Sequence, residues 1–174
     1  MTDTILRWID RISGGAGAAA GWLIVPLIFA TTYEVFSRYV LHTPTIWAFE
    51  VGYMATGANF LIGAAYTLRE KSHIRIDVFY GHLFSRRTQA IVNLIGFCVL
   101  LLPAAFLLTD ALWTYAAMAY KSKEGSGQSA WNPPIWPFRM VFFSGFLFLL
   151  LQGLAETVRV LRFLAGRDPN WNAD

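Results

Sequence analysis

Four stretches of this chain run for sixteen or more residues with at most one charged side chain each, and few folds other than membrane-crossing helices accept such stretches. Residues 14–33 contain no Asp, Glu, Lys or Arg. Twenty helical residues at about 1.5 Å each cover the roughly 30 Å of a hydrocarbon core. Residues 47–68 carry Glu50 alone, residues 88–120 carry Asp110 alone, and residues 140–155 carry no charge. At 56% apolar and 14% charged, the chain falls well short of the charge of a soluble domain, about 25%. The expected fold is an all-α integral membrane protein: a single four-helix membrane domain over residues 1–174, with spans at about 14–36, 46–68, 88–120 and 137–160.

Local patterns refine this layout. Ile5, Trp8, Ile9 and Ile12 recur at helical spacing, which predicts a short interfacial helix over residues 2–13, although a plain polar leader fits equally. Small residues crowd 14–21 and offer another helix a smooth surface. No small-x-small site follows the apolar run, so the first span reads as an uncleaved anchor rather than a signal peptide. Glu34 and Arg38 lie four apart on one helix face. Thr43 followed by Pro44 reads as an N-cap with proline at the first helical position, so a very short turn joins spans one and two into an antiparallel hairpin. Glu50 then falls in the first turn of span two, where a helix N-terminus favours negative charge, and Arg38 is expected to face it across the turn. Glu34, Arg38 and Glu50 form the predicted cluster at that membrane face.

Between spans two and three lies the longest polar interval, residues 68–87. Ile76, Phe79, Tyr80, Leu83 and Phe84 repeat there at three and four residues, predicting a short amphipathic interfacial segment, and Ser85 is placed to cap the next helix. That third helix, at 33 residues, would extend roughly 50 Å, so it must tilt, kink or protrude. Pro103 is the expected kink. Asp110 is expected near the outer interface, with Trp113, Tyr115 and Tyr120 emerging through the aromatic belt. Residues 121–132 are rich in Gly and Ser and read as a loop with no fold of its own. Span four is expected to begin near Pro137, with Arg139 snorkelling outward and Glu156, Arg159 and Arg162 ending the span in water. With four spans, ten of the fourteen basic residues share a side with the chain ends and four (Arg38, Lys121, Lys123, Arg139) lie opposite. The positive-inside bias makes both termini cytoplasmic.

The residues offer little chemistry. A net charge of +3 and a pI near 9.2 come without any dense Lys/Arg tract, so basic loops explain them and nucleic acid is not an expected partner. Cys98 is the single cysteine, which excludes an internal disulfide. His42, His73 and His82 all fall in loops, against a haem held between spans. His73 and Asp77 lie four apart, but two ligands make a weak metal site. No G-x-S-x-G occurs. No catalytic, cofactor-binding or metal residue is therefore assigned. Near mid-span only Asn59, Asn93 and Gln152 are strongly polar, and such residues more often join helices than carry a solute. The halves show no convincing repeat.

The run LREKSHIRIDVF, with His73, Ile74, Arg75, Ile76 and Asp77 after the second span, closely resembles the H-I-R-[IV]-D signature of the small membrane subunit (DctQ-like) of tripartite ATP-independent periplasmic transporters. Arg38 and Tyr39 resemble the end of that family's first span, Trp47 and Glu50 the start of its second, and Trp136, Pro137, Gly145, Phe146 and Gln152 its fourth. Phe49 stands where many members have a second acid beside the glutamate. The resemblance covers nearly the whole chain. It implies a scaffold in a bacterial inner membrane, with solute and sodium sites in a large permease subunit and a periplasmic binding protein that captures a small organic anion, commonly a carboxylate. An ion gradient rather than ATP would drive uptake, and this subunit itself would need no cofactor. The large subunit, the binding protein and membrane lipid are then the expected partners. The candidate structural or subunit-interface residues are Glu34, Arg38, Trp47, Glu50, His73, Arg75, Asp77 and Gln152. The alternative is a membrane anchor or assembly subunit of an unrelated inner-membrane complex.

Overall fold

A computed structural model describes residues 2–70 and 85–167, and these are helical throughout apart from short connections. The predicted amphipathic segment at residues 76–84 lies outside the described residues.

The N-terminal leader does not form a separate interfacial helix. Helix α1 spans Thr2–Trp22 and α2 spans Ile24–Tyr39, so leader and first span make one nearly continuous rod broken at Leu23. Pro26 explains the break, since it lacks the N–H that would bond the carbonyl of Trp22. Leu23 N–H instead closes a tight turn onto the carbonyl of Ala20 at 2.9 Å. The glycines that make α1 a weak helix in isolation let it lie against α3 (Ala48–Arg69), because a Cβ at Gly17 would come within 2.5 Å of the Tyr66 side chain.

The short turn from α2 to α3 is present, but Thr43 and Pro44 do not cap a helix. Thr43 exchanges bonds with Ser37 of α2, and α3 starts only at Ala48. Ser85 does cap α4 (Arg86–Ile95), accepting from Thr88 N–H at 3.3 Å. A π-helical segment, Gly96–Leu101, links α4 to α5 (Leu102–Ser122). It sits immediately before Pro103, and its widened turn accommodates a ring that would otherwise press on the carbonyl four residues earlier. Helix α6 spans Trp136–Leu164 with Pro137 in its first turn, as expected.

These elements form four antiparallel rods: α1 with α2, α3, α4 through α5, and α6. Helix α6 packs between α5 and α3, and α3 in turn packs against α1 and α2. The contact surfaces are small. Ala58, Ala65, Ala105, Ala116, Ala119 and Ala155 are buried, whereas Trp22, Phe29, Phe60 and Leu100 are at least 71% exposed. A soluble fold puts its large apolar residues inside; helices in lipid gain by close approach of small residues and leave large ones facing the chains. Three rods, Asp3–Tyr39, Arg86–Ser122 and Trp136–Leu164, are long and apolar enough to cross a bilayer. Helix α3, the expected second span, is long enough at 22 residues but is diluted by glycine, threonine and Asn59.

Candidate functional site

The polar side chains gather at the two ends of the bundle. At one end, the turn from α2 to α3 and the loop from α5 to α6 come together. Glu34 of α2 accepts from Arg38 Nε at 2.9 Å and from Thr45 N–H at 2.8 Å, so it closes the turn from below. Arg38 is therefore not the partner of Glu50, as the sequence suggested. Its own helix supplies an acid one turn away, and its side chain is 58% exposed. Glu50 is fully buried and accepts at Oε1 from Ser126 Oγ at 2.7 Å and from Ser129 Oγ. Its Oε2 meets no donor among the described residues. Trp47 stacks on Tyr33 with ring centres 5.9 Å apart, which ties the start of α3 to α2.

The serines reach Glu50 because the loop has a fold after all. Lys123 turns the chain with a left-handed backbone (φ 53°), and Ser126 N–H bonds Pro133 O at 2.9 Å. Ile135 N–H bonds Glu124 O at 3.0 Å, and Asn132 Oδ1 accepts from Gly127 N–H at 2.9 Å. Two backbone strands of the loop thus brace each other. Arg139 fixes the loop to α6: it does not snorkel outward but is buried, donating from both terminal nitrogens to Glu124 at 2.7 Å each. Its guanidinium lies 3.4 Å from the centre of the Tyr115 ring, so charge and stacking both hold it. Tyr53, Tyr115, Ser126 and Arg139 border a cleft of about 300 Å³ below the loop.

At the other end Gln152 is fully buried and joins α6 to α1. Ser13 Oγ donates to its Oε1 at 2.9 Å, and its Nε2 donates to Asp10 and Glu156, both at 3.2 Å. Arg159 completes the network, bonding Asp10 at 2.6 Å and also Glu156, while Arg162 bonds Asp3. Glu156 and Arg159 are thus drawn into helix packing rather than left in water. Midway along the bundle, Asn59 Nδ2 donates at 3.1 Å to the carbonyl of Ala20, next to the break at Leu23. His73, Arg75 and Asp77 lie outside the described residues.

Of the candidates, the structure brings Glu34 to Arg38, buries Glu50 and Gln152, and stacks Trp47. Sequence reading missed Asp10, Ser13, Tyr115, Glu124, Ser126 and Ser129. Glu124 and Asp10 did leave a signal, since each is an acid on the same predicted side as the arginine it meets. The serines left none, being 76 and 79 residues from Glu50.

Fold and site together define a helical, multi-span membrane protein whose polar side chains hold its own loops and helix ends in place. A family model described as "Tripartite ATP-independent periplasmic transporters, DctQ component" matches residues 27–163, most of the chain, and the chain belongs to that family. It is a small permease component of a three-part transporter that also comprises a large permease and a binding protein. A comparison with curated protein sequences gave no significant match.

Proposed function

We propose that this subunit scaffolds the large permease subunit in a bacterial inner membrane, for ion-gradient-driven uptake of a small organic anion bearing a carboxylate and delivered by a periplasmic binding protein. It crosses four times, with residues 2 and 167 on the cytoplasmic side. Helix α3 counts as a span on this reading because 22 residues extend about 33 Å and its less apolar surface is shielded by α1, α2 and α6. The ten-to-four division of basic residues supports the orientation. The observation that carries the scaffold reading is that Asn59, Arg139 and Gln152 are already bonded to the bundle's own atoms, and that Glu50, whose second carboxylate oxygen has no donor among the described residues, is anchored by two serines at the end of the bundle rather than midway along it. A solute path needs such groups free to replace water around the solute. Solute and sodium sites then belong to the large subunit.

Reconstitution tests this. The purified chain in liposomes, with a sodium gradient and the binding protein loaded with its solute, is expected to accumulate nothing until the large subunit is added. Uptake by the chain alone would overturn the scaffold role. For the orientation, single cysteines at Gln128 or Ser72 of a Cys98→Ser variant are treated with an impermeant thiol reagent outside intact cells. Position 128 should label and position 72 should not; the reverse pattern inverts the topology.

A further inference from the structure

Asp110 is the one charged residue between Arg87 and Lys121. Trp113 of α5 packs on Phe143 of α6 with ring centres 5.3 Å apart, and a Cβ on Gly153 of α6 would come within 3.0 Å of Leu101. That antiparallel register sets Asp110 opposite Gly145, whose α-carbon abuts Leu61 of α3. Gly145 is five residues inside the uncharged stretch 140–155, and Leu61 is seven residues from the end of 51–68. The carboxylate is thus at least about 8 Å inside the apolar layer. It is nonetheless exposed on the outside of the bundle, and among the described residues none donates a hydrogen bond to it or pairs with it. Thr114, one turn along the same face, is exposed as well, between Leu107 (66% exposed) and Met118 (61%). Arg139, Arg159 and Arg38, by contrast, all have acids within this chain. A bare carboxylate turned toward hydrocarbon is costly, and in membrane helices such groups pair with another segment.

We propose that the α5 face centred on Asp110 and Thr114 is the docking surface for a transmembrane helix of the large permease subunit, and that this helix meets Asp110 with a lysine or arginine. This rests on the scaffold reading above and adds the face and the chemistry of the contact. The α4 to α5 rod packs chiefly on α6 and is the least enclosed of the three long apolar rods, so the surface is open to a partner. Apolar flanks at Leu107 and Met118 supply packing area around the charge pair.

The test uses the full chain co-expressed with the large subunit in native membranes. A photo-crosslinking benzoylphenylalanine at Leu107 or at Thr114 should capture the large subunit, and the captured helix should contain a lysine or arginine within its membrane-spanning stretch. Asp110→Leu should lower recovery of the complex at least tenfold while Asp110→Glu retains it, and the melting temperature of Asp110→Leu alone should match wild type because the carboxylate has no partner among the described residues. Capture of lipid only or of a second copy of this chain, with the complex intact, would overturn the docking face. A captured helix without a basic residue, or full recovery with Asp110→Leu, would overturn the charge pairing. If the wild-type chain fails to associate with the large subunit at all, it is the scaffold reading that fails, and the two failures are told apart by that control.

Discussion

Arg38 and Arg139 lie at the same end of the bundle and each faces a glutamate, yet the Arg38 side chain is 58% exposed and that of Arg139 only 10%. Exposure decides what each pair is worth. Truncating Arg139 removes a two-pronged ion pair and a desolvated stack on Tyr115, while Glu124, half exposed, regains water. Arg139→Ala should therefore cost about 2 kcal/mol of stability. Arg139→Lys should recover only part of this, because an ammonium keeps the charge but not the fork or the stacking plane. Arg38→Ala should leave the melting temperature close to wild type. Thermal unfolding of the three variants in one detergent checks the order, and equal losses for Arg38→Ala and Arg139→Ala would contradict it. The pairing of Arg38 with Glu34 was legible because helix geometry fixes neighbours four residues apart. The true partners of Glu50 were not, because they arrive on a loop whose fold depends on its own backbone bonds.

At the scale of elements, α3 and α6 approach closely where Gly145 faces Leu61. A Cβ at Gly145 would stand 2.9 Å from the Leu61 Cβ and 3.0 Å from its carbonyl carbon, so the helices would have to part. Gly145→Ala should cost about 1 to 3 kcal/mol. Gly63, on the same helix as Leu61, has nothing within 4 Å of a built Cβ. There the substitution only reduces backbone freedom in the unfolded chain, and Gly63→Ala should stabilise by about 0.5 to 1 kcal/mol. Opposite signs in denaturant titrations of the two variants are expected; stabilisation by both would mean that the α3–α6 contact tolerates separation. Helix extents were largely readable from the sequence, including the Ser85 cap and the start near Pro137. The break at Leu23 and the π-helical segment before Pro103 were not, since proline signals an irregularity without saying how the chain absorbs it.

For the molecule as a whole, α1 and the end of α6 are tied by Asp10 and Arg159, which are 149 residues apart. Asp10→Arg and Arg159→Asp should each lower stability, and the double variant should recover at least half of the summed loss, with a coupling of about 1 to 3 kcal/mol in a double-mutant cycle. Strict additivity would show that the contact does not hold the ends together. The residues alone were enough to show a helical membrane protein and, for every rod but the first, roughly how long it is and where it begins; the first runs on through the leader to Thr2. Those are properties of single segments, because in lipid each helix must satisfy its own backbone and present its own apolar length. Which rods touch, which acid each arginine meets, and that Asp110 faces outward from the bundle became visible only in the packed helices. Those depend on the register between helices, set by close contacts such as Gly145 on Leu61 and Gly57 on Phe138, and no periodicity along one segment encodes the register of another.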